Sequence, residues 1–169
     1  MVFPSRDEGM EDSQNIVYNG ATPNQQVLPA AHWVVRVLGK KRIFFIGADG
    51  LLGHMSNELL KDSLQGGQAT VVGEKFLLLS ETNFQPLIKQ IQKTKPDVIF
   101  NIINGDSNLA FFRELRAAGV TPKDLPTISF SVGENELGQF AGIDMVGDYL
   151  AWNYFEAIDR PENRDFVRR

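Results

Sequence analysis

The sequence predicts an α/β fold, a three-layer Rossmann-like lobe with a mostly parallel sheet. Two observations lead to this prediction. Apolar runs at residues 43–46 and 98–103 are typical of central parallel strands that are buried on both faces. β-prone runs also alternate with amphipathic stretches along the chain, which is the order expected for parallel strands joined by helical crossovers. The length of 169 residues suits one domain with a sizeable core.

The β-prone runs predict six strands, and apolar residues at helical spacing predict helices between most of them. The predicted strands cover residues 15–18, 42–46, 69–76, 97–103, 126–130 and 148–155, and the predicted helices cover 24–38, 52–64, 84–91 and 108–118. The run at 69–76 is more polar than the others, so it is expected at an edge of the sheet. Trp33 is expected in the core, and Thr82 with Asn83 is expected to cap the third helix.

Composition excludes several classes of function. The chain has 17 Lys and Arg against 21 Asp and Glu, a net charge of -4, and its basic residues are scattered, so a nucleic-acid partner is disfavoured. It has no Cys, which excludes disulfides, thiolate nucleophiles and Cys-ligated metals. His32 and His54 are the only histidines and have no metal-binding spacing, so neither a metal nor a cofactor is predicted.

The two ends of the chain carry little local signal. No window approaches 18 consecutive apolar residues, and the N-terminal residues lack the basic and apolar regions of a signal peptide. Residues 161–169 resemble the first turns of a helix that stops in mid-course. We therefore expect the sequence to be part of a longer protein.

Polar loops follow three of the predicted strands, at residues 47–50, 104–108 and 131–136. Ligands of open parallel sheets bind beyond the carboxyl ends of the strands, and these ends share one edge. The best candidates for ligand contact are therefore Asp49, Asn104, Asp106, Ser131 and Glu134.

Other interpretations of these loops were weighed. The glycines at residues 47–53 lack the G-x-G-x-x-G spacing of a dinucleotide site, which disfavours a nucleotide- or sugar-processing enzyme. Asp106 or Ser107 can equally be a simple helix cap. The sequence has no G-x-S-x-G elbow and no supported catalytic triad, so nothing favours enzymatic activity.

Three blocks resemble a known family: P-N-Q-Q at residues 23–26, N-G-D-S-N at 104–108 and A-W-N-Y-F at 151–155. They are similar to those of the urea- and short-chain-amide-binding branch of type I periplasmic solute-binding proteins. That resemblance implies two α/β lobes that close around a small ligand. It also implies a division of the chain into the end of the first lobe with a crossover (1–20), the second lobe (21–150), and a crossover strand with the start of a truncated helix (151–169).

The resemblance implies a function as well. The expected ligand is urea or a short amide, delivered to an ABC permease in the periplasm, with no catalysis and no cofactor. The alternative is an amide or urea sensory domain of a regulator or kinase, which would be cytoplasmic. The missing first lobe, or self-association in its place, is the expected protein partner.

Three further candidate positions rest on the resemblance alone. Phe3 and Ser5 match the ends of a Tyr-Pro-Thr segment near the first crossover of the family. Gly50 stands where relatives carry a Tyr whose ring closes over the ligand. The chain is therefore expected to leave a gap at this position and to admit a ligand larger than urea.

Overall fold

A computed structural model describes residues 2–3, 13–67 and 69–169 of the chain. Helices and strands alternate through most of this length, as the sequence predicts. The strands are β1 (Val2–Phe3), β2 (Val17–Tyr18), β3 (Arg42–Ala48), β4 (Thr70–Leu77), β5 (Val98–Ile102), β6 (Thr127–Ser129) and β7 (Tyr149–Leu150). The helices are α1 (Pro23–Arg36), α2 (Leu51–Ser63), α3 (Gln85–Thr94), α4 (Ser107–Ala117) and α5 (Pro161–Val167), and a 3₁₀ helix spans Glu134–Phe140.

The main sheet has five strands in the order β4-β3-β5-β6-β7, and every neighbouring pair is parallel. This architecture confirms the predicted α/β class, and β4 lies at an edge as expected. β1 pairs in parallel with β2 in a separate two-stranded sheet. None of the helices in the described ranges is both long and apolar enough to cross a bilayer.

The core has two halves, one on each face of the sheet. Side chains alternate along β3, so Phe44 and Ile46 pack with α3 and α4, whereas Ile43 and Phe45 pack with α1 and α2. Phe44, Phe45, Val98 and Phe100 are fully buried, which confirms the prediction for the two central strands. The fold therefore has three layers, with helices on both sides of the sheet.

Three expectations from the sequence are wrong. The predicted strand at 148–155 is reduced to Tyr149–Leu150, because the chain leaves the sheet after Ala151 donates its N–H to the Ser129 carbonyl at 2.9 Å. Trp33 is 37% exposed and packs edge-on against Tyr149, so it is not a core residue.

The start of α3 also differs from the prediction. Thr82 does not cap this helix, and Asn83 contributes one long hydrogen bond, in which its Oδ1 accepts the Gln85 N–H at 3.4 Å. Phe84 takes the cap position and is buried. Its N–H donates to the Glu114 carboxylate at 3.2 Å, so a side chain of α4 supplies the acceptor. A partner thirty positions along the chain cannot be seen in the local sequence.

Candidate functional site

The carboxyl ends of β3, β5 and β6 lie side by side and bring the three polar loops together. Gly47 of β3 lies opposite Ile102 of β5, and Asn101 of β5 lies opposite Ser129 of β6. The loops that begin at Asp49, Ile103 and Phe130 therefore leave the sheet at one edge, which we call the carboxyl edge.

Asp49 lies in a tightly bonded turn between β3 and α2. Its N–H donates to the Leu77 carbonyl at 2.7 Å, and the Gly50 N–H donates to the Ala48 carbonyl at 2.9 Å. The Asp49 side chain is 50% exposed, and its Oδ1 accepts a hydrogen bond from His54 Nε2 at 2.8 Å. Its second oxygen has no hydrogen bond within the described part of the chain, so it can accept one from a ligand.

Gly50 occupies the N-cap position of α2 in an extended conformation with a φ of -166°. A Cβ atom placed on Gly50 would have no neighbour within 4 Å. There is thus open space at the position where the family resemblance implies a Tyr in relatives. A larger side chain at residue 50 would meet no steric barrier at its Cβ.

The loop after β5 exposes Asn104 and Asp106. Gly105 between them has a φ of +64°, a conformation that favours glycine, and it lets the chain turn directly into α4. Asp106 is at the N-cap position but makes no side-chain cap hydrogen bond. Asp106 therefore caps α4 through its backbone carbonyl alone, and its carboxylate stays available at the carboxyl edge.

A buried amide pair fixes this loop from below. Asn101 donates through Nδ2 to Asn108 Oδ1 at 2.8 Å, and Asn108 in turn donates to the Ile103 carbonyl at 2.6 Å. The Ile103 N–H donates back to Asn101 Oδ1 at 2.9 Å. Both asparagine side chains are used by the fold, so Asn108 supports the site and does not face it.

Two serines lie buried just beneath the carboxyl edge. Ser131 follows β6 and Ser107 begins α4, and they are 8% and 4% exposed. Among the described residues neither hydroxyl has a hydrogen-bond partner. A buried hydroxyl without a partner is costly, and such groups are often paired by a ligand or a water molecule. Ser131 stays a predicted contact on this basis.

The remaining candidates are placed differently. Glu134, at the start of the 3₁₀ helix, accepts backbone N–H groups from Glu156 and from Ala157, the latter at 3.0 Å. Its carboxylate therefore holds the C-terminal segment, and its ligand contact stays a prediction. Phe3 lies in β1, where its backbone pairs with Tyr18. Ser5 lies outside the described residues.

The electrostatics of the carboxyl edge are one-sided. The three loops contain four carboxylates and no Lys or Arg. In the described ranges, no cluster of three or more His, Asp or Glu side chains is suited to hold a metal ion. The edge thus offers hydrogen-bond acceptors and hydroxyls to a ligand, and it offers no cationic side chain in these loops. The four carboxylates are Asp49, Asp106, Glu134 and Glu136.

A cavity of about 370 Å³ lies elsewhere, between α1 and β7. Trp33, Tyr149 and Trp152 line it, together with the side chain of Gln26. Gln26 donates to the Phe130 carbonyl at 3.1 Å and also to the Ala151 carbonyl, so its amide ties α1 to the sheet. None of the predicted contacts lines this mainly apolar cavity. We place the candidate site at the carboxyl edge because exposed carboxylates lie there together with two buried serine hydroxyls that have no partner among the described residues.

His54 also belongs to the candidate site through its hydrogen bond to Asp49, a role that its lack of metal-binding spacing does not indicate. The local signal was present: Asp49 and His54 are five positions apart across the start of a predicted helix. That spacing brings a side chain of the first helical turn back to the preceding loop.

A parallel α/β domain with acceptor-rich loops at the carboxyl ends of adjacent strands is built to bind a small molecule. Comparison with known families agrees with this class. The chain belongs to the family described as periplasmic binding protein domain, which it matches over residues 1–169. Proteins of this family bind ligands and are not enzymes.

Solved structures of ABC transporter solute-binding proteins share the fold. One from R. palustris, in complex with 4-hydroxybenzoate, is 24% identical, with a TM-score of 0.77 over 92% of this chain and 43% of that one. An ABC transporter substrate-binding protein from Sphaerobacter thermophilus is 20% identical, with a TM-score of 0.78 over 98% of this chain and 45% of that one. A putative branched-chain amino acid ABC transporter from Rhodospirillum rubrum is 21% identical, with a TM-score of 0.78 over 90% and 43%. The chain thus spans less than half the length of each of these structures.

Proposed function

We propose that this chain is a ligand-binding lobe of a periplasmic solute-binding protein that delivers urea or a short amide to an ABC permease. Residues 21–150 form the second lobe, and residues 1–20 and 151–169 lead to and from the first lobe. The family match and the ABC transporter proteins of the same fold support the class of function. The ligand class rests on the chemistry of the carboxyl edge and on the sequence blocks that resemble amide-binding relatives.

The observation that carries the ligand class is the excess of acceptors at the carboxyl edge. Urea and primary amides present several N–H donors and one carbonyl oxygen. Carboxylates such as Asp49 and Asp106 accept those N–H groups, and the carbonyl oxygen can receive a hydrogen bond from a serine hydroxyl or from the first N–H groups of a helix. The groups of this edge match the polar groups of an amide.

Anionic ligands fit this edge less well. Solved structures of the same fold hold 4-hydroxybenzoate or benzoate, each of which carries a carboxylate. A bound carboxylate requires donors or a cation, and four acidic side chains with no Lys or Arg in the three loops oppose it. Unless the opposite lobe supplies the cation, this lobe selects a neutral ligand.

Binding to the 169-residue chain by itself tests the proposal. A cleft ligand makes contacts to two lobes, so we expect urea and acetamide to bind weakly here, in the millimolar range or not at all by calorimetry. Shifts of the Asp49, Asp106 and Ser131 amide signals in NMR titrations detect such weak binding. Benzoate, which one solved structure of this fold holds, and leucine, a branched-chain amino acid, serve as the comparison ligands. Larger shifts with benzoate than with acetamide would contradict the proposed ligand class.

Gly50→Tyr in the two-lobe protein sharpens the assignment. A ring at this position adds a stacking surface and a phenolic hydroxyl, and the open space around Gly50 accommodates its Cβ. We expect urea and acetamide to bind more tightly and amides with larger substituents to bind less tightly, as measured by calorimetry. Gly50→Ala is the control, since it changes the backbone and adds no ring. Equal affinities of the Tyr and Ala variants for all these ligands would refute the account of this gap.

A further inference from the structure

His54 connects a possible ligand contact to the body of the fold. It lies in the first turns of α2, and its Nε2–H donates to Asp49 Oδ1 at 2.8 Å. The hydrogen bond occupies one carboxylate oxygen and leaves the other without a partner among the described residues. In a half-exposed loop, a carboxylate without such a bond would sample several rotamers.

The ring of His54 is itself held in place. It stacks on the Phe76 ring of β4, with 3.8 Å between the centroids and 22° between the planes. Phe76 in turn contacts the buried ring of Phe45 at 6.0 Å between centroids, so the stack is anchored on the central sheet. Asp49 is therefore linked to the core through a chain of rigid aromatic contacts.

Nearby acidic groups do not compete for His54. Glu74, two residues before Phe76 on β4, accepts hydrogen bonds from Lys61 Nζ and Asn57 Nδ2, both at 2.7 Å. These bonds lower the pKa of the Glu74 carboxyl, with the bond from Lys61 contributing most. With Glu74 engaged by other partners, the imidazole N–H is committed to Asp49.

We propose that His54 is a positioning residue that fixes the Asp49 carboxylate in one rotamer at the carboxyl edge, with its second oxygen free for a ligand N–H group. Its consequence for affinity rests on the proposed function, whereas the positioning itself concerns the chain without ligand. The residue acts through Asp49 and makes no ligand contact of its own. Fixing one rotamer before binding removes an ordering cost that the ligand would otherwise meet, a difference of about three- to tenfold in affinity.

Two substitutions separate the roles of the imidazole. His54→Phe keeps an aromatic ring to stack on Phe76 and removes the hydrogen bond, whereas His54→Gln keeps an amide N–H donor and removes the ring. Three-bond couplings from the backbone to Asp49 Cγ report its rotamer in the ligand-free chain. We expect one rotamer in the wild type, averaged couplings in His54→Phe, and couplings close to the wild type in His54→Gln. His32→Gln, which replaces the other histidine at an exposed position of α1, is the control and should leave the Asp49 couplings unchanged.

The same couplings decide the inference without any ligand. Wild-type couplings in a folded His54→Phe variant, or averaged couplings in the wild type, would overturn it. Should His54→Phe not fold, Phe76→Leu replaces it, because loss of the stack should also average the couplings while leaving the histidine in place. An equal rotamer distribution in the wild type and Phe76→Leu would then overturn it.

An acetamide titration adds the functional measurement. We expect His54→Phe to weaken acetamide binding about three- to tenfold relative to the wild type, and His54→Gln to weaken it less than twofold. Equal weakening by both variants would contradict positioning through the hydrogen bond. Failure of acetamide to bind any variant, the wild type included, would count against the proposed function, and the couplings would still decide the role of His54.

Discussion

The charged side chains at the amino ends of the parallel strands and those at the carboxyl ends differ in their hydrogen bonding. At the amino ends, the Asp97 carboxylate accepts the N–H groups of Lys41 and Arg42 at 2.9 and 3.0 Å. The Arg42 side chain donates to the Thr94 and Lys95 carbonyls at 2.8 and 3.1 Å. These hydrogen bonds link the start of β3 to the start of β5, so the polar groups at this end have partners within the protein.

At the carboxyl ends of β3 and β5, several charged and polar groups lack partners in the described part of the chain, whereas Glu134 and Glu136 beyond β6 accept backbone N–H groups. Asp106 makes no side-chain cap bond, Asp49 has a single side-chain partner, and the hydroxyls of Ser107 and Ser131 have none within the described residues. β3 and β5 thus have hydrogen-bonded polar groups at their amino ends and unpaired acceptors at their carboxyl ends. The difference identifies the end where a ligand can supply the missing partners.

The largest expected effect is a loss of stability from a substitution in β5, the strand that joins the two ends just compared. Phe100 in the middle of β5 is fully buried and lies 5.3 Å from Phe130, centroid to centroid. Phe100→Ala should lower the free energy of unfolding by about 3–5 kcal/mol, through lost burial and a cavity. Chemical denaturation measures this loss, and Phe100→Leu, which keeps more of the volume, should cost clearly less. Equal costs for the two variants would show that the site is not tightly packed.

A pair of aspartates tests the contrast between the ends directly. Asp97→Ala removes the acceptor for two backbone N–H groups and should destabilise the chain by about 1–2 kcal/mol. Asp106→Ala removes a carboxylate that has no hydrogen bond to any described residue, so we expect a change within about 0.5 kcal/mol. Denaturation curves compare the stabilities, and NMR titration with acetamide compares binding, which only Asp106→Ala should weaken. A larger loss of stability at Asp106 than at Asp97 would reverse the assignment of the two ends.

The sequence was most informative where a local pattern determines the structure. The apolar runs of β3 and β5 identified the centre of the sheet because a strand buried on both faces must be apolar at nearly every position. The same argument failed at 151–155, where the β-forming residues Trp152 and Tyr154 suggested a strand. After Ala151 the chain has left the sheet, and neither Asn153 nor Tyr154 is buried.

The candidate site was predictable as a location and less so as a set of contacts. Parallel topology alone places Asp49, Asp106 and Ser131 at one edge, since it fixes which strand ends meet. The role of Glu134 was not visible, because its backbone partners lie more than twenty positions away. The partners of Asp97 are likewise more than fifty positions distant. Long-range hydrogen bonds of this kind leave no mark on the local sequence.

The smallest expected effect concerns a second carboxylate at the amino ends. Asp148, just before β7, accepts the Thr127 N–H at 2.8 Å and pairs with the Arg116 guanidinium. Its side chain is only 3% exposed, and this burial raises the pKa of the Asp148 carboxyl against the opposing charge of Arg116. The amino ends therefore contain a carboxylate that the folded state protonates more readily than the unfolded state does.

The sign of the resulting pH dependence follows from linkage. A carboxyl with a raised pKa in the folded state contributes stability below its unfolded pKa of about 3.9, and the contribution is lost as the pH rises through the folded pKa. Asp148→Asn removes the titrating carboxyl group and with it this contribution. The difference in unfolding free energy between the wild type and Asp148→Asn should therefore decrease as the pH rises from about 3.5, by no more than about 1.4 kcal/mol per pH unit. Guanidinium chloride denaturation at a series of pH values measures this slope. A difference that increases with pH would show that the attraction of Arg116 outweighs the burial of Asp148.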